Sequence, residues 1–256
     1  MKTALLFSGQ GAQYVGMMKD IAGKYSRAQE IIDTADKIAG YSLSSICFDG
    51  PAEKLKETRN TQPAIFLHSC VVYDLIKDKV DCDAVAGHSV GEYSALYAAG
   101  VLSFESAMEL VALRGKLMFE AGEEMPGTMF AVIGLDDDKV EEVCKKLTNP
   151  ANHQIIVAAN YNSPGQIVVS GSADYLRENI GKFKEAGAKI TKELTVSGAF
   201  HSTLMEPAKE KLADAINKID FNDAKFPIYT NVHAKPEVKA SELKQALLDQ
   251  LTSPVR

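Results

Sequence analysis

Residues 84–98 read AVAGHSVGEYSALYA, and the order of residue types in this stretch decides the fold. Ala84-Val85-Ala86 is a short apolar run of the kind a buried strand makes. Gly87-His88-Ser89-Val90-Gly91 is a glycine-rich turn, and a helix follows through Tyr97. A strand, a sharp turn with Ser at its tip and a helix form the setting in which Gly-x-Ser-x-Gly is informative. The glycines let the turn lift the Ser89 hydroxyl clear of the sheet. The new helix N-terminus then offers unpaired backbone N–H groups to a developing oxyanion. The competing reading is an ordinary Gly-rich turn with a capping serine.

Strand and helix alternate on both sides of this stretch. Residues 3–8 (TALLFS) predict a buried strand that runs into Gly9-Gln10-Gly11-Ala12-Gln13. A helix spans 27–39 on Ile31, Ile32, Ala35 and Ile38, with Gly40 as its stop. Thr61-Gln62-Pro63 opens a longer helix, with Pro in the first turn where its missing N–H costs little. Ser103 caps another, reaching about Ala121. The alternation predicts an α/β body with a mostly parallel sheet.

Residues 127–197 follow a different order. Strands at 129–134, 155–159, 166–170 and 189–196 alternate with helices at 136–147 and 173–186, which is βαββαβ, the ferredoxin-like unit. A helix at 202–219, a strand at 226–230 and a helix at 241–251 then resume the first pattern. The expected fold is α/β: a large, mostly parallel-sheet, α/β-hydrolase-like body formed by 1–126 and 198–256, holding a ferredoxin-like insert at 127–197.

Composition narrows the function. The chain has 256 residues, 46% hydrophobic and 24% charged, enough for a core without a disulfide or metal staple. No apolar run is long enough for a bilayer, and no charged-then-apolar leader opens the sequence. With 28 Lys and Arg against 34 Asp and Glu, and no basic run interleaved with aromatics, nucleic acid is not an expected partner. Cys47, Cys70, Cys82 and Cys144 form no CxxC, and His88 with Glu92 four residues on does not make a metal site. Reduced thiols, a cytoplasmic setting, no metal and no membrane association are expected.

A serine nucleophile needs a base. His88 adjoins Ser89, and neighbouring side chains on such a turn diverge; His153 and His233 sit in polar loop contexts. His201, in Ser197-Gly198-Ala199-Phe200-His201-Ser202, stands where insert and body join and is the favoured base. No Asp or Glu lies between Val196 and Ser202 to orient it, though one distant in the sequence could fold in. The carbonyls at the end of the last helix, near Gln250, carry partial negative charge and offer another orienter. On the 104–121 helix, Ala107, Leu110, Val111, Arg114 and Met118 fall on one stripe. A guanidinium amid that apolar face needs an anion: a protein carboxylate, or the carboxylate of a substrate held in a two-bond fork.

Gly9-Gln10-Gly11-Ala12-Gln13, Asn60-Thr61-Gln62-Pro63-Ala64, Gly87-His88-Ser89-Val90-Gly91-Glu92, Arg114-Gly115, Asn162-Ser163-Pro164 and Phe200-His201-Ser202 occur in this order. Across its whole length the chain therefore resembles the malonyl-CoA:acyl carrier protein transacylases, the acyltransferase family of fatty-acid and polyketide synthesis. The resemblance implies a Ser–His dyad. Ser89 would be acylated, His201 would act as base and then acid, and the Gln10 and Val90 backbone N–H groups would form the oxyanion hole. Arg114 would bind the malonyl carboxylate, and the Gln250 carbonyl would orient His201. No cofactor is implied beyond malonyl-CoA as substrate and the phosphopantetheine arm of the acyl carrier protein as acceptor. Phe200 before the histidine and Val90 after the nucleophile resemble malonyl-selective members. Acyl carrier proteins are acidic, and Lys182, Lys184, Lys189 and Lys192 form a candidate basic docking patch, with a merely solvated lysine face as the other reading. Relatives continue past QLTSPVR, typically starting with a Trp. The absence of Trp and the end at Arg256 thus imply a C-terminally shortened large domain with weaker support for the helix near Gln250.

Three alternatives stand beside this reading. A serine esterase or thioesterase of α/β-hydrolase type needs an HGGG-like loop, an acid between nucleophile and His, and a His near the C-terminus. A non-catalytic carrier-protein-binding module would have lost nucleophile or base. A malonyl-selective, trans-acting polyketide acyltransferase shares every feature above.

Overall fold

The structure, a computed structural model, describes residues 2–256. In chain order its elements are β1 (Ala4–Phe7), α1 (Lys19–Ala22), α2 (Ser26–Ala39), α3 (Leu43–Asp49), α4 (Ala52–Lys56), α5 (Thr58–Ile76), β2 (Ala84–Gly87), α6 (Gly91–Ala98) and α7 (Phe104–Glu124). They continue with β3 (Gly127–Ile133), α8 (Asp137–Leu147), β4 (Ile156–Ser163), β5 (Gln166–Ser172), α9 (Ala173–Asn179), α10 (Gly181–Glu185) and β6 (Ile190–Glu193). The last are α11 (Glu206–Asn217), β7 (Ile228–Tyr229), β8 (Pro236–Glu237) and α12 (Ala240–Gln250).

The chain divides into two compact units: Met1–Leu117 with Leu212–Ala246, and Met118–Lys211 with Leu247–Arg256. These divisions differ from the sequence expectation at 126/127 and 197/198, and the last ten residues go with the second unit. Helices α7, α11 and α12 each run through a division. Their periodicity continues unbroken there, so the pattern of apolar residues carries no mark of it.

In the first unit, β1, β2 and β7 are parallel neighbours and β8 adds antiparallel to β7, giving the order β1-β2-β7-β8. The parallel sheet is as expected; the short β8 hairpin partner has no signal in the sequence. Among the described residues β1 pairs with β2 alone, and where a buried strand is expected Leu6 is 79% exposed while Leu5 and Phe7 are half-buried.

Helix α5 is largely buried, and it starts at Thr58, before the Pro63 that was expected in its first turn. Pro63 takes a donor from the Arg59 carbonyl one turn back, and the Tyr41 hydroxyl reaches that oxygen at 3.5 Å. Polar side chains anchor the early start. Thr61 Oγ1 donates to the Leu55 carbonyl at 2.6 Å and Asn60 Nδ2 to the Lys54 carbonyl at 2.9 Å, both on α4.

In the second unit the sheet order β4-β5-β3-β6 is antiparallel throughout, the ferredoxin-like arrangement. Alternate residues of the strands, Phe130 and Val132, Ile156 and Ala158, Ile167 and Val169, meet Val140 and Cys144 of α8 with Leu176 and Phe183 of α9 and α10. The single helix expected at 173–186 is two, interrupted at Ile180. The β4–β5 connection is the two-residue Pro164-Gly165 turn, with Gly165 at φ 73 where that turn requires a positive value.

Candidate active site

Three backbones converge at the elbow, and glycine is needed for all of them to fit. A Cβ on Gly87 would stand 2.0 Å from the Gly91 carbonyl carbon, and one on Gly91 would stand 2.4 Å from the Phe7 carbonyl oxygen of β1. Backbone cannot yield as a flexible side chain can. Gly91→Ala is therefore expected to cost about 2–4 kcal/mol of stability, read as a lowered denaturant midpoint.

Between them Ser89 has φ 52, in the left-handed region that non-glycine residues seldom occupy. Its neighbour His88 is exposed, as expected for side chains that diverge on such a turn. The N–H groups of Gln10 and Val90 donate to no acceptor among the described residues, whereas the Ser89 N–H is taken by Asn231 Oδ1 at 2.7 Å.

Arg114 of α7 is only 1% exposed. Its Nη1 donates to Gln62 Oε1 of α5 at 2.6 Å and its Nη2 to Ser89 Oγ at 3.1 Å. The guanidinium lies 5.7 Å from the Tyr93 ring centroid, a cation–π distance. Burial lowers its pKa from the ordinary value, with Tyr93 and Glu92 acting in the opposite sense; an Arg this basic stays charged. The same burial pushes the Tyr93 phenol up to about 12. The apolar stripe thus leads the guanidinium to the Ser89 hydroxyl, with a neutral amide holding the other arm of the fork. Gly115 permits the approach of α7 to α5: a Cβ there would meet the Thr58 carbonyl at 3.0 Å.

The second unit holds His201 in its own constrained turn, at φ 58 and 3% exposed. Ser202 staples that turn: its Oγ donates to the Ala199 carbonyl at 2.6 Å and accepts the Leu204 N–H at 3.2 Å. His201 Nδ1 lies 3.1 Å from the Gln250 carbonyl. A carbonyl can only accept, so Nδ1 is the donor in this bond. The weak support expected for this helix end is not what the structure has. Gln250, Leu251 and Val255 are buried, and Val255 exchanges backbone bonds of 2.8 Å with Ala159 and Tyr161 of β4. Phe200, 5% exposed, precedes the histidine.

Lys182, Lys184, Lys189 and Lys192 are exposed around α10 and β6, and Lys182 pairs with Glu185 at 3.0 Å. Cys47, Cys70, Cys82 and Cys144 are free thiols. Burial raises Cys47 and Cys144 to about 12, which keeps them from competing as nucleophiles. Among the described residues no group of His, Cys, Asp and Glu could hold a metal ion, and no helix is long and apolar enough to cross a membrane.

Residues 4–256 match the family model described as the acyl transferase domain. The chain belongs to that family. The acyl transferase is 45% identical over 255 residues to the malonyl CoA-acyl carrier protein transacylase of Staphylococcus aureus strain MW2, covering 100% of this chain and 82% of the relative. It superposes with a TM-score of 0.93 and 40% identity on a malonyl-transacylase, PlMCAT, solved with its type II PKS acyl-carrier protein, holo-AntF, over 100% and 82% of the two chains. The acyl carrier protein S-malonyltransferase of Vibrio cholerae gives 0.92 and 39%, over 100% and 83%. These neighbours share the α/β body with its ferredoxin-like subdomain, the fold class predicted from the sequence.

Two polar side chains that contact this constellation have no role legible in the sequence. Gln62 lies within Asn60-Thr61-Gln62-Pro63-Ala64 and accepts from Arg114. Asn231, which grips the elbow, had no signal at all, because a side-chain bond to backbone 142 residues away leaves no periodic trace.

Proposed function

We propose that this acyltransferase moves a malonyl group from malonyl-CoA to the phosphopantetheine thiol of an acyl carrier protein by way of a Ser89 ester. The observation that carries this reading is the fork of Arg114, whose Nη2 stands 3.1 Å from Ser89 Oγ. An acyl group on Ser89 that ends in a second carboxylate brings that anion to the same guanidinium, and an esterase for neutral acyl groups has no use for a buried cation there.

In the proposed cycle His201 Nε2 takes the Ser89 proton as Oγ attacks the thioester carbonyl, and the Gln10 and Val90 N–H groups stabilise the oxyanion. Collapse expels the CoA thiolate, which receives the proton from His201. The carrier thiol then gives its proton to His201 and attacks the ester, releasing malonyl-carrier and restoring the Ser89 hydroxyl. The Gln250 carbonyl steadies the imidazolium in both halves, the role an acidic third member plays in a triad. The scheme calls for no metal or redox cofactor.

Phe200 and Val90 favour malonyl over methylmalonyl. One methyl in an apolar pocket is worth about 1–3 kcal/mol, so the preference is graded. The lysines on α10 and β6 offer an acidic carrier a positive surface. The free thiols support a reducing, cytoplasmic setting, and carriers of either fatty-acid or polyketide synthesis fit the scheme.

Intact-mass spectrometry tests the reading. Malonyl-CoA is expected to leave one malonyl adduct that holo carrier protein removes and becomes charged with. Rapid release of free malonate without carrier would make the protein a hydrolase and overturn the proposal.

A further inference from the structure

Ser89 occupies a strained backbone conformation, so something outside its turn has to hold it there. Asn231 does so with three bonds. Its Oδ1 accepts the Ser89 N–H at 2.7 Å, its Nδ2 donates to the Gly87 carbonyl at 2.6 Å, and its own N–H donates to Glu92 Oε2 at 3.1 Å. One carboxamide spans the turn from the end of β2 to its tip, and the first turn of α6 holds that residue in place. Asn231 is 5% exposed and Glu92 1%. Sheet register delivers the group: β7 runs parallel to β2 with Val85 opposite Ile228 and Ala86 opposite Tyr229, so the chain leaving β7 meets the chain leaving β2. The amide's orientation follows from its partners, because the Ser89 N–H needs an acceptor and the Gly87 carbonyl a donor.

We propose that Asn231 is a positioning residue for the nucleophile. It fixes the left-handed Ser89 and, by occupying the Ser89 N–H, reserves the Val90 N–H as the donor of the elbow to the oxyanion. The proposal rests on Ser89 being the acylated residue.

Only a group with one acceptor and one donor at carboxamide spacing satisfies both contacts. An ionised Asp at 231 sets an acceptor against the Gly87 carbonyl and a second negative charge beside Glu92. A protonated Asp has the shape and the donor of Asn. The Asn231→Asp variant is therefore switchable, defective when ionised and restored when protonated.

The experiment measures single-turnover acylation by malonyl-CoA in the wild type, Asn231→Ala and Asn231→Asp, each shown by circular dichroism to be folded. Near pH 8 both variants are expected to acylate about 100-fold more slowly, with KM changed less than about threefold, as for an interaction made at the reacting centre. From about pH 8 to about pH 5.5 the ratio of Asp variant to wild type is expected to climb about tenfold or more as the carboxyl protonates. The ratio of the Ala variant is expected to stay flat. Glu92, against Asn231, and the exposed His88 and His233 are present in all three proteins, so the Ala variant serves as the control for every group they share. Wild-type rates in both variants, or a pH-independent loss shared by kcat and KM, would overturn the proposal. Hydrogen exchange at the Ser89 amide decides the same question without chemistry. Asn231→Ala is expected to speed it at least about tenfold, and unchanged exchange refutes the hold even if Ser89 proves not to be the acylated residue.

Discussion

Ser89→Ala is expected to abolish the malonyl adduct and to lower carrier malonylation by at least about 10⁴-fold, because it removes the hydroxyl proposed to carry the ester. The backbone of the turn is held by Asn231 and by the packing of Gly87 and Gly91, none of which involves the Ser89 hydroxyl. The variant should therefore fold. Its structural losses include an acceptor for Arg114 Nη2, a cost of about 1–3 kcal/mol if no water replaces it. Comparing thermal midpoints with acylation separates the two effects: a small loss of stability beside a near-total loss of adduct identifies the hydroxyl as the nucleophile. An adduct of undiminished yield on Ser89→Ala, mapped by digestion to another side chain, would refute the assignment and the ping-pong scheme with it.

Much of this site is legible in the sequence because its constraints are local. Gly87 and Gly91 flank Ser89 where any Cβ would strike backbone, so the spacing itself records the geometry. Arg114 is legible because a charge on an apolar helical stripe is costly unless something meets it, and Gln62 and Ser89 do. The ferredoxin-like unit follows from alternation, since Phe130 and Val132, then Ile167 and Val169, point to one core. Features that depend on residues far apart leave no such trace. Asn231 lies in a polar loop, and its value comes from the parallel register of β7 on β2. Helix α5 begins ahead of Pro63 because Thr61 and Asn60 bond to α4, overriding the usual placement of proline. The turns of Ser89 and His201 share one property no periodicity reports: each holds a non-glycine residue at positive φ, 52 and 58, which is the kind of local strain that concentrates at reacting groups.

The choice of acyl group should respond to Arg114 above all other residues. Arg114→Ala is expected to reduce kcat/KM for malonyl-CoA by about 10²–10³-fold, as when one member of a buried, hydrogen-bonded charge pair is removed, with kcat/KM for acetyl-CoA unchanged or raised. The asymmetry comes from burial. At 1% exposure the wild-type guanidinium has little water to turn to. An acetyl group supplies no anion, and a malonyl group supplies both oxygens of a carboxylate. Without the cation that distinction disappears and the substrate ratio collapses toward one. Arg114→Lys should recover only part of it, because a single ammonium cannot donate to Gln62 Oε1 and also present two parallel N–H groups. Gln62→Leu gives the complementary result. It leaves the charge in place but frees one arm of the fork, so malonyl transfer should fall by about tenfold while selectivity against acetyl persists. Competition between malonyl-CoA and acetyl-CoA, read as the two adduct masses in one sample, measures all three variants on a common scale. If Arg114→Ala kept the wild-type ratio of adducts, the guanidinium would be a core residue paired within the protein. The carboxylate would then have to be recognised elsewhere.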